Sequence, residues 1–141
     1  MTDKSLVSYC GLYCGDCHGY KGSIADLASD LRKELKKYNF DEVAKVIPFK
    51  EFKNYPECYE CLGAMEHLRC EGCHEGERSK YCNIAQCTQK KEFQGCWECD
   101  EFETCPEFDF LKPVHRDANL KNLKKIKKEG LEGFLEGKRH W

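Results

Sequence analysis

Cys70-Glu-Gly-Cys73, Cys82-Asn-Ile-Ala-Gln-Cys87, Cys96-Trp-Glu-Cys99 and Cys105-Pro106 follow one another along a single stretch of the chain. Two Cys-x2-Cys hooks flank a central Cys-x4-Cys, and eight residues separate each hook from the centre. Gaps of that length let the chain turn back on itself. A Cys-x2-Cys hook sets two thiols on one side of a tight turn, close to the bite that a tetrahedral zinc ion needs at a Zn–S distance of about 2.3 Å. The spacing therefore points to metal chemistry before it points to core packing.

Composition supports the same reading. The chain has 141 residues, 12 of them cysteine, within a hydrophobic fraction of 40%. Leu, Ile, Val and Phe together supply only about 20%, near the level at which chains bury too little to fold. A structural zinc site in a small peptide supplies on the order of 10–16 kcal/mol, against about 5–15 kcal/mol of net stability for a whole domain. The expected fold is a small metal-stabilised domain, mainly α, with irregular cysteine-rich zinc-knuckle loops. One domain over 1–141 is expected, with a helical part at about 23–68 and a cysteine-rich metal-binding part at 70–105. The N-terminal 10–17 joins the metal-binding part, and a C-terminal helix covers about 117–136.

Disulfides are the other staple that an even cysteine count permits. The opening residues, Met1 to Cys10, carry no apolar run of the length a secretion signal needs, and no apolar segment is long enough to span a membrane. A cytoplasmic setting with reduced thiols is expected, and there cysteines serve as ligands more often than as disulfides. The formal charge is −2. Each zinc held by four thiolates adds about −2, so two closed sites would bring the protein to about −6. That balance argues against general nucleic-acid binding.

At the N-terminal side lies Cys10-Gly-Leu-Tyr-Cys14-Gly-Asp-Cys17-His18, with Leu6, Val7 and Tyr9 before it as a short extended segment. The x3 and x2 spacing is also that of radical enzymes with a four-iron cluster. Those enzymes are built on barrels of about 200 residues or more with βα repeats, which this chain does not have. The trio is expected to recruit its missing ligand from the central stretch.

From Ser23 the apolar residues recur at three and four: Ile24, Leu27, Ala28, Leu31, Leu35 and Tyr38. Ser23 and Asp26 suggest a capping box, and the charges over 32–37 a solvated face. A second helix is expected after Asp41, closed by Pro48, with Phe49, Phe52 and Tyr55 as core anchors. Cys58-Tyr-Glu-Cys61 imitates a hook. Asn54 and Pro56, however, read as a helix start, and Cys58, Cys61, Leu62, Met65 and Leu68 fall on one helical stripe, so two core cysteines are expected here rather than ligands.

The metal candidates are then Cys10, Cys14, Cys17, Cys70, Cys73, Cys82, Cys87, Cys96, Cys99 and Cys105, holding two or three zinc ions. His18 and His74 directly follow hook cysteines and are candidate substitutes for a thiolate. Residues five apart do not share a helix face, so either the Cys82–Cys87 turn is irregular or those two serve different ions. Sequential and crossed groupings of the ten both satisfy the spacing. Phe93, Trp97, Phe102, Phe108 and Phe110 are expected to cover the sites, with Arg69, Arg78, Lys90 and Lys91 offsetting thiolate charge. Beyond Pro113, a helix capped by Asp117 places Leu120, Leu123 and Ile126 on one edge, continued after Gly130 by Leu131, Phe134 and Leu135. Nine Lys or Arg against four Asp or Glu between Lys112 and Arg139 make this helix basic. It is the one place where nucleic acid would bind, and otherwise it balances the acidic thiolate half.

With these motifs in hand, the chain resembles the cysteine-rich family known as domain of unknown function 3795. The resemblance rests on Cys10-Gly-Leu-Tyr-Cys14-Gly-Asp-Cys17, Cys70-Glu-Gly-Cys73, Cys82-Asn-Ile-Ala-Gln-Cys87, Cys96-Trp-Glu-Cys99-Asp-Glu-Phe and Cys105-Pro, and extends to a Lys-rich end, Leu123 to Gly130. It implies zinc binding, an ordinary helix at Cys58 and Cys61, and no established reaction. Three functions follow as expectations: a zinc-binding protein with mainly structural ions that presents a scaffold to a protein partner, an iron–sulfur electron carrier, or a small zinc or thiol enzyme with an incomplete metal site.

Overall fold

The computed structural model describes residues 3–141, apart from the side chains of residues 77 and 78. It is mainly helical, and its only β pairing among the described residues is a bridge between Val7 and Tyr13. The chain forms two compact units, one of residues 18–70 and one that joins 1–17 to 71–141.

The 18–70 unit contains helices α1 (His18–Lys21), α2 (Ser23–Lys37), α3 (Phe40–Val46) and α4 (Tyr55–Met65), with a 3₁₀ segment at Lys50–Asn54. Its buried residues are small: Ala25 and Ala28 of α2 and Ala44 of α3. Aromatic rings fill the rest, with Phe40 edge-on to Phe52 at 5.4 Å and 5.3 Å from Tyr55. Arg32 lies 4.3 Å from the centre of the Tyr59 ring and donates to Glu66 at 2.9 Å. Gly63 makes room for this guanidinium, since a Cβ there would stand 3.0 Å from Arg32 Cζ.

Several expectations change here. The cap of α2 is Gly22, at φ 69, and no side chain caps the helix, so the Ser23–Asp26 box does not form. Asp26 instead pairs with Arg69. The helix presents its alanines to the core because they allow close helix approach, and Leu27 is left 70% exposed and Tyr38 62%. Arg32, read as part of a solvated face, is half-buried. Phe52 and Tyr55 anchor as expected, whereas Phe49 touches Phe52 but stays 62% exposed. Helix α4 starts as read, with Pro56 in its first turn. Cys58 and Cys61 are nonetheless both exposed, because Tyr55, Tyr59 and Leu62 take the inner face. The core-cysteine reading is wrong.

The other unit contains α5 (Asn83–Lys90), α6 (Lys112–His115) and α7 (Ala118–Glu136), linked by short 3₁₀ turns. Gly130, at φ 76 and ψ 174, breaks α7 into two segments, where the sequence reading expected one continuous helix. Leu123, Ile126, Phe134 and Leu135 are buried along one edge, as their spacing predicts. Leu123 joins Ile84, Cys96, Phe102, Phe108 and Leu111 in one cluster, while Ile126, Phe134 and Leu135 join Val7 and Tyr13 in a second. Gly11 sits at φ 90 against this helix, where a Cβ would meet Leu123 Cγ at 2.8 Å. Only glycine allows the loop after Cys10 to come so close. The C-terminal tail is fixed by the buried Asn122, which donates to the His140 carbonyl at 2.8 Å and accepts from its N–H at 2.9 Å.

Candidate metal centre

Both Cys14-x2-Cys17 and Cys96-x2-Cys99 fold as single 3₁₀ turns. Cys17 N–H donates to the Cys14 carbonyl at 2.9 Å, and Cys99 N–H to the Cys96 carbonyl at 3.0 Å. Side chains three apart eclipse one another in a 3₁₀ turn, which sets the two thiols of each hook on one side. A third such turn, Phe102–Thr104, ends at Cys105, whose N–H reaches the Phe102 carbonyl at 3.3 Å. The Cys96 N–H also donates to the Tyr9 carbonyl at 2.8 Å and so ties its hook to the N-terminal segment.

Cys87, Cys96, Cys99 and Cys105 line one cavity of about 340 Å³, with Phe93, Phe102 and Phe108 around them. The four come from helix α5, a hook and a following turn. Burial first, and then the nearby Cys10, Cys105, Cys87 and Cys99, together push the Cys96 thiol up to about 12. Of the expected aromatic cover, Phe93, Phe102 and Phe108 line the cavity, Trp97 packs against the two buried clusters of this unit, and Phe110 is 61% exposed because its short 3₁₀ segment turns Phe108 and Leu111 inward instead. Lys91 lines the same cavity. Arg78, the other cation expected to offset thiolate charge in this region, has its side chain outside the described residues.

A second set of thiols surrounds Cys14. A hydrogen bond with Cys73 lowers the Cys14 thiol to about 6, against the opposing effect of burial and with a smaller contribution from His74. His74 itself bonds the Val7 carbonyl at 2.7 Å and packs on Tyr9 at 4.4 Å. Arg139 braces the hook from the far end of the chain, donating to Asp16 at 2.8 and 3.1 Å and lying 4.6 Å from the Tyr13 ring. No sequence signal marked Arg139 for this role, because 123 residues separate it from Asp16.

Cys10 and Cys82 do not line the cavity, although Cys10 is near enough to Cys96, Cys82 and Cys14 to interact with their thiols. Both pack at the edge of the cluster around Leu123, and burial raises the Cys10 thiol, against a hydrogen bond with Ser8 Oγ at 3.1 Å. Cys82 is the extended residue that starts α5, whereas Cys87 lies inside the helix. Cys70 ends the 18–70 unit, its N–H donating to the Gly19 carbonyl at 3.0 Å, and His18 is exposed in α1 of that unit. Among the described residues, no three Cys, His, Asp or Glu side chains are gathered at metal-holding distance.

The basic C-terminal helix spends its charge within its own unit. Lys124 faces Glu103 at 3.6 Å and Lys127 faces Asp100 at 3.5 Å, both acids lying in the Cys99–Cys105 segment, while Lys121 pairs with Asp117 at 3.3 Å. These pairs are exposed and each contributes about 0–1 kcal/mol. No described helix is long and apolar enough to cross a membrane.

A mainly helical chain whose many cysteines are concentrated on short turns and helix ends is a cysteine-rich helical protein in class. Its particular family is plain as well: the chain belongs to the DUF3795 family of proteins of unknown function, whose model matches residues 6–110. The match stops short of the Lys-rich helix that the sequence resemblance had included. No curated protein and no solved structure matches the chain.

Proposed function

We propose that this protein is a zinc-binding scaffold in which Cys87, Cys96, Cys99 and Cys105 hold one structural ion. Cys14, Cys17 and Cys73 supply thiols to a second. The observation that carries the reading is the convergence of four thiols from three separate backbone segments on one cavity. Four thiolates satisfy tetrahedral zinc and leave it no open position, which is the coordination of structural rather than catalytic sites. Cys10 and Cys82 remain outside both sets. The surface held in place by the ions would serve a protein partner.

The test is metal analysis of anaerobically purified full-length protein, paired with a thiol count. Wild type is expected to carry stoichiometric zinc and to be colourless. Cys87→Ser, Cys96→Ser, Cys99→Ser and Cys105→Ser should each lose the same single zinc equivalent, while Cys82→Ser keeps it. Visible thiolate–iron absorbance would replace zinc with an iron–sulfur cluster. Full zinc content in all four variants would remove the assignment.

A further inference from the structure

The remaining pair, Cys58 and Cys61, has the spacing of the hooks but a different backbone. Both residues lie within α4, both are exposed, and the inner face of that helix belongs to Tyr55, Tyr59 and Leu62. Thiols with no packing role on a helix surface are open to reagents from solvent. Residues three apart on an α-helix have Cβ atoms about 5–6 Å apart, whereas a disulfide needs about 3.5–4.5 Å. Their Cα separation, about 5 Å from helical rise and radius, already falls within the disulfide range of about 4.4–6.8 Å. A local adjustment of this turn that closes the remaining gap of about 1 Å between the Cβ atoms would bring the sulfurs together. The position favours such an adjustment, since Cys58 is the fourth residue of α4 and helices fray near their ends.

We infer that Cys58 and Cys61 form a reversible dithiol–disulfide site that exchanges with small disulfides of the glutathione class, separate from the metal thiols. One thiolate attacks a sulfur of the small disulfide, forming a mixed disulfide and releasing one small thiol. The second cysteine, losing its proton, attacks the protein sulfur of that mixed disulfide and releases the second small thiol. The protein pair is oxidised by two electrons and the small disulfide is reduced to two thiols, so electrons and protons balance. Because the closed form compresses a helical turn and is exposed, it is a readily reduced disulfide rather than a structural one.

The test equilibrates the full-length, metal-loaded protein with oxidised and reduced glutathione at graded ratios. Free thiols are then alkylated, and peptides are mapped by mass spectrometry. The expected result is loss of two hydrogens from the peptide that holds both Cys58 and Cys61, reversed by excess reduced glutathione, with zinc content unchanged. Cys58→Ser and Cys61→Ser should each stop at the mixed disulfide on the remaining cysteine. Wild type that accumulates glutathione on either cysteine without closing the ring would overturn the proposal. So would oxidation confined to the cysteines of the other unit. Neither result depends on which ion the other cysteines hold, so this site and the zinc assignment can fail separately.

Discussion

Gly11→Ala is the perturbation that most directly tests how the N-terminal cysteine loop is seated. Two effects add. An alanine at φ 90 is held in a region L-residues avoid, at about 1–3 kcal/mol. Its Cβ would also stand 2.8 and 2.9 Å from Leu123 Cγ and Cδ2 and 3.1 Å from the Asn119 carbonyl oxygen. Leu123 is fully buried, so it has little room to move, and overpacking of this kind adds about 1–3 kcal/mol. The sum, about 2–6 kcal/mol, is a large share of a typical net stability of about 5–15 kcal/mol. The assay is urea unfolding of metal-loaded protein, followed by circular dichroism and read at constant m. Leu123→Ala alone should cost about 2–5 kcal/mol by leaving a cavity. In the double variant the new methyl occupies part of that cavity. The combined loss should therefore fall short of the sum by about 1–3 kcal/mol, the overpacking share of the single substitution. Losses that add to within about 0.5 kcal/mol would show that the loop and α7 are not in contact as described.

Stripping metal with a strong chelator under reducing conditions should abolish cooperative melting of the protein, as seen by calorimetry, and a retained sharp transition would sink the view that metal–sulfur bonds supply the missing cohesion. Zinc titration of the stripped protein in buffers of different ionisation enthalpy should reveal proton release, because thiols must deprotonate to ligate, so affinity should weaken as pH falls. Arg139→Ala removes the paired hydrogen bonds to Asp16 and the contact with Tyr13. With both side chains partly exposed, a loss of about 1–2 kcal/mol is expected in urea unfolding, and an Asp16→Asn change in the same background should add little. Neutralising Lys124 and Lys127 together should change stability by no more than about 1–2 kcal/mol and leave retention on heparin unaltered; salt-dependent retention that vanishes in this variant would restore the nucleic-acid reading.

Much of the helical part was legible because amphipathic spacing and helix punctuation are local properties. Helix α7 and its buried Leu123, Ile126, Phe134 and Leu135 follow from spacing alone, although its break at Gly130 does not. The start of α4 at Tyr55, with Pro56 in its first turn, follows in the same way. The face of a helix that turns inward was harder to read. In α2 the alanines won over Leu27 and Leu31, since close approach to neighbouring helices depends on side-chain size, which periodicity ignores. In α4 the tyrosines displaced the cysteines because Phe40, Phe52 and Arg32 offered rings and a guanidinium to pack against.

The sequence by itself determined that this chain is rich in paired thiols, poor in large aliphatic side chains and mainly helical, since composition and short-range spacing carry that information. It also identified the family. Only the tertiary structure decided that Cys87 shares a cavity with Cys96, Cys99 and Cys105, that Cys14 meets Cys73, and that Cys58 and Cys61 face solvent. Spacing along the chain limits how near two thiols can come. The packing of α5 and α7 around Ile84, Phe102 and Leu123 selects which of them do.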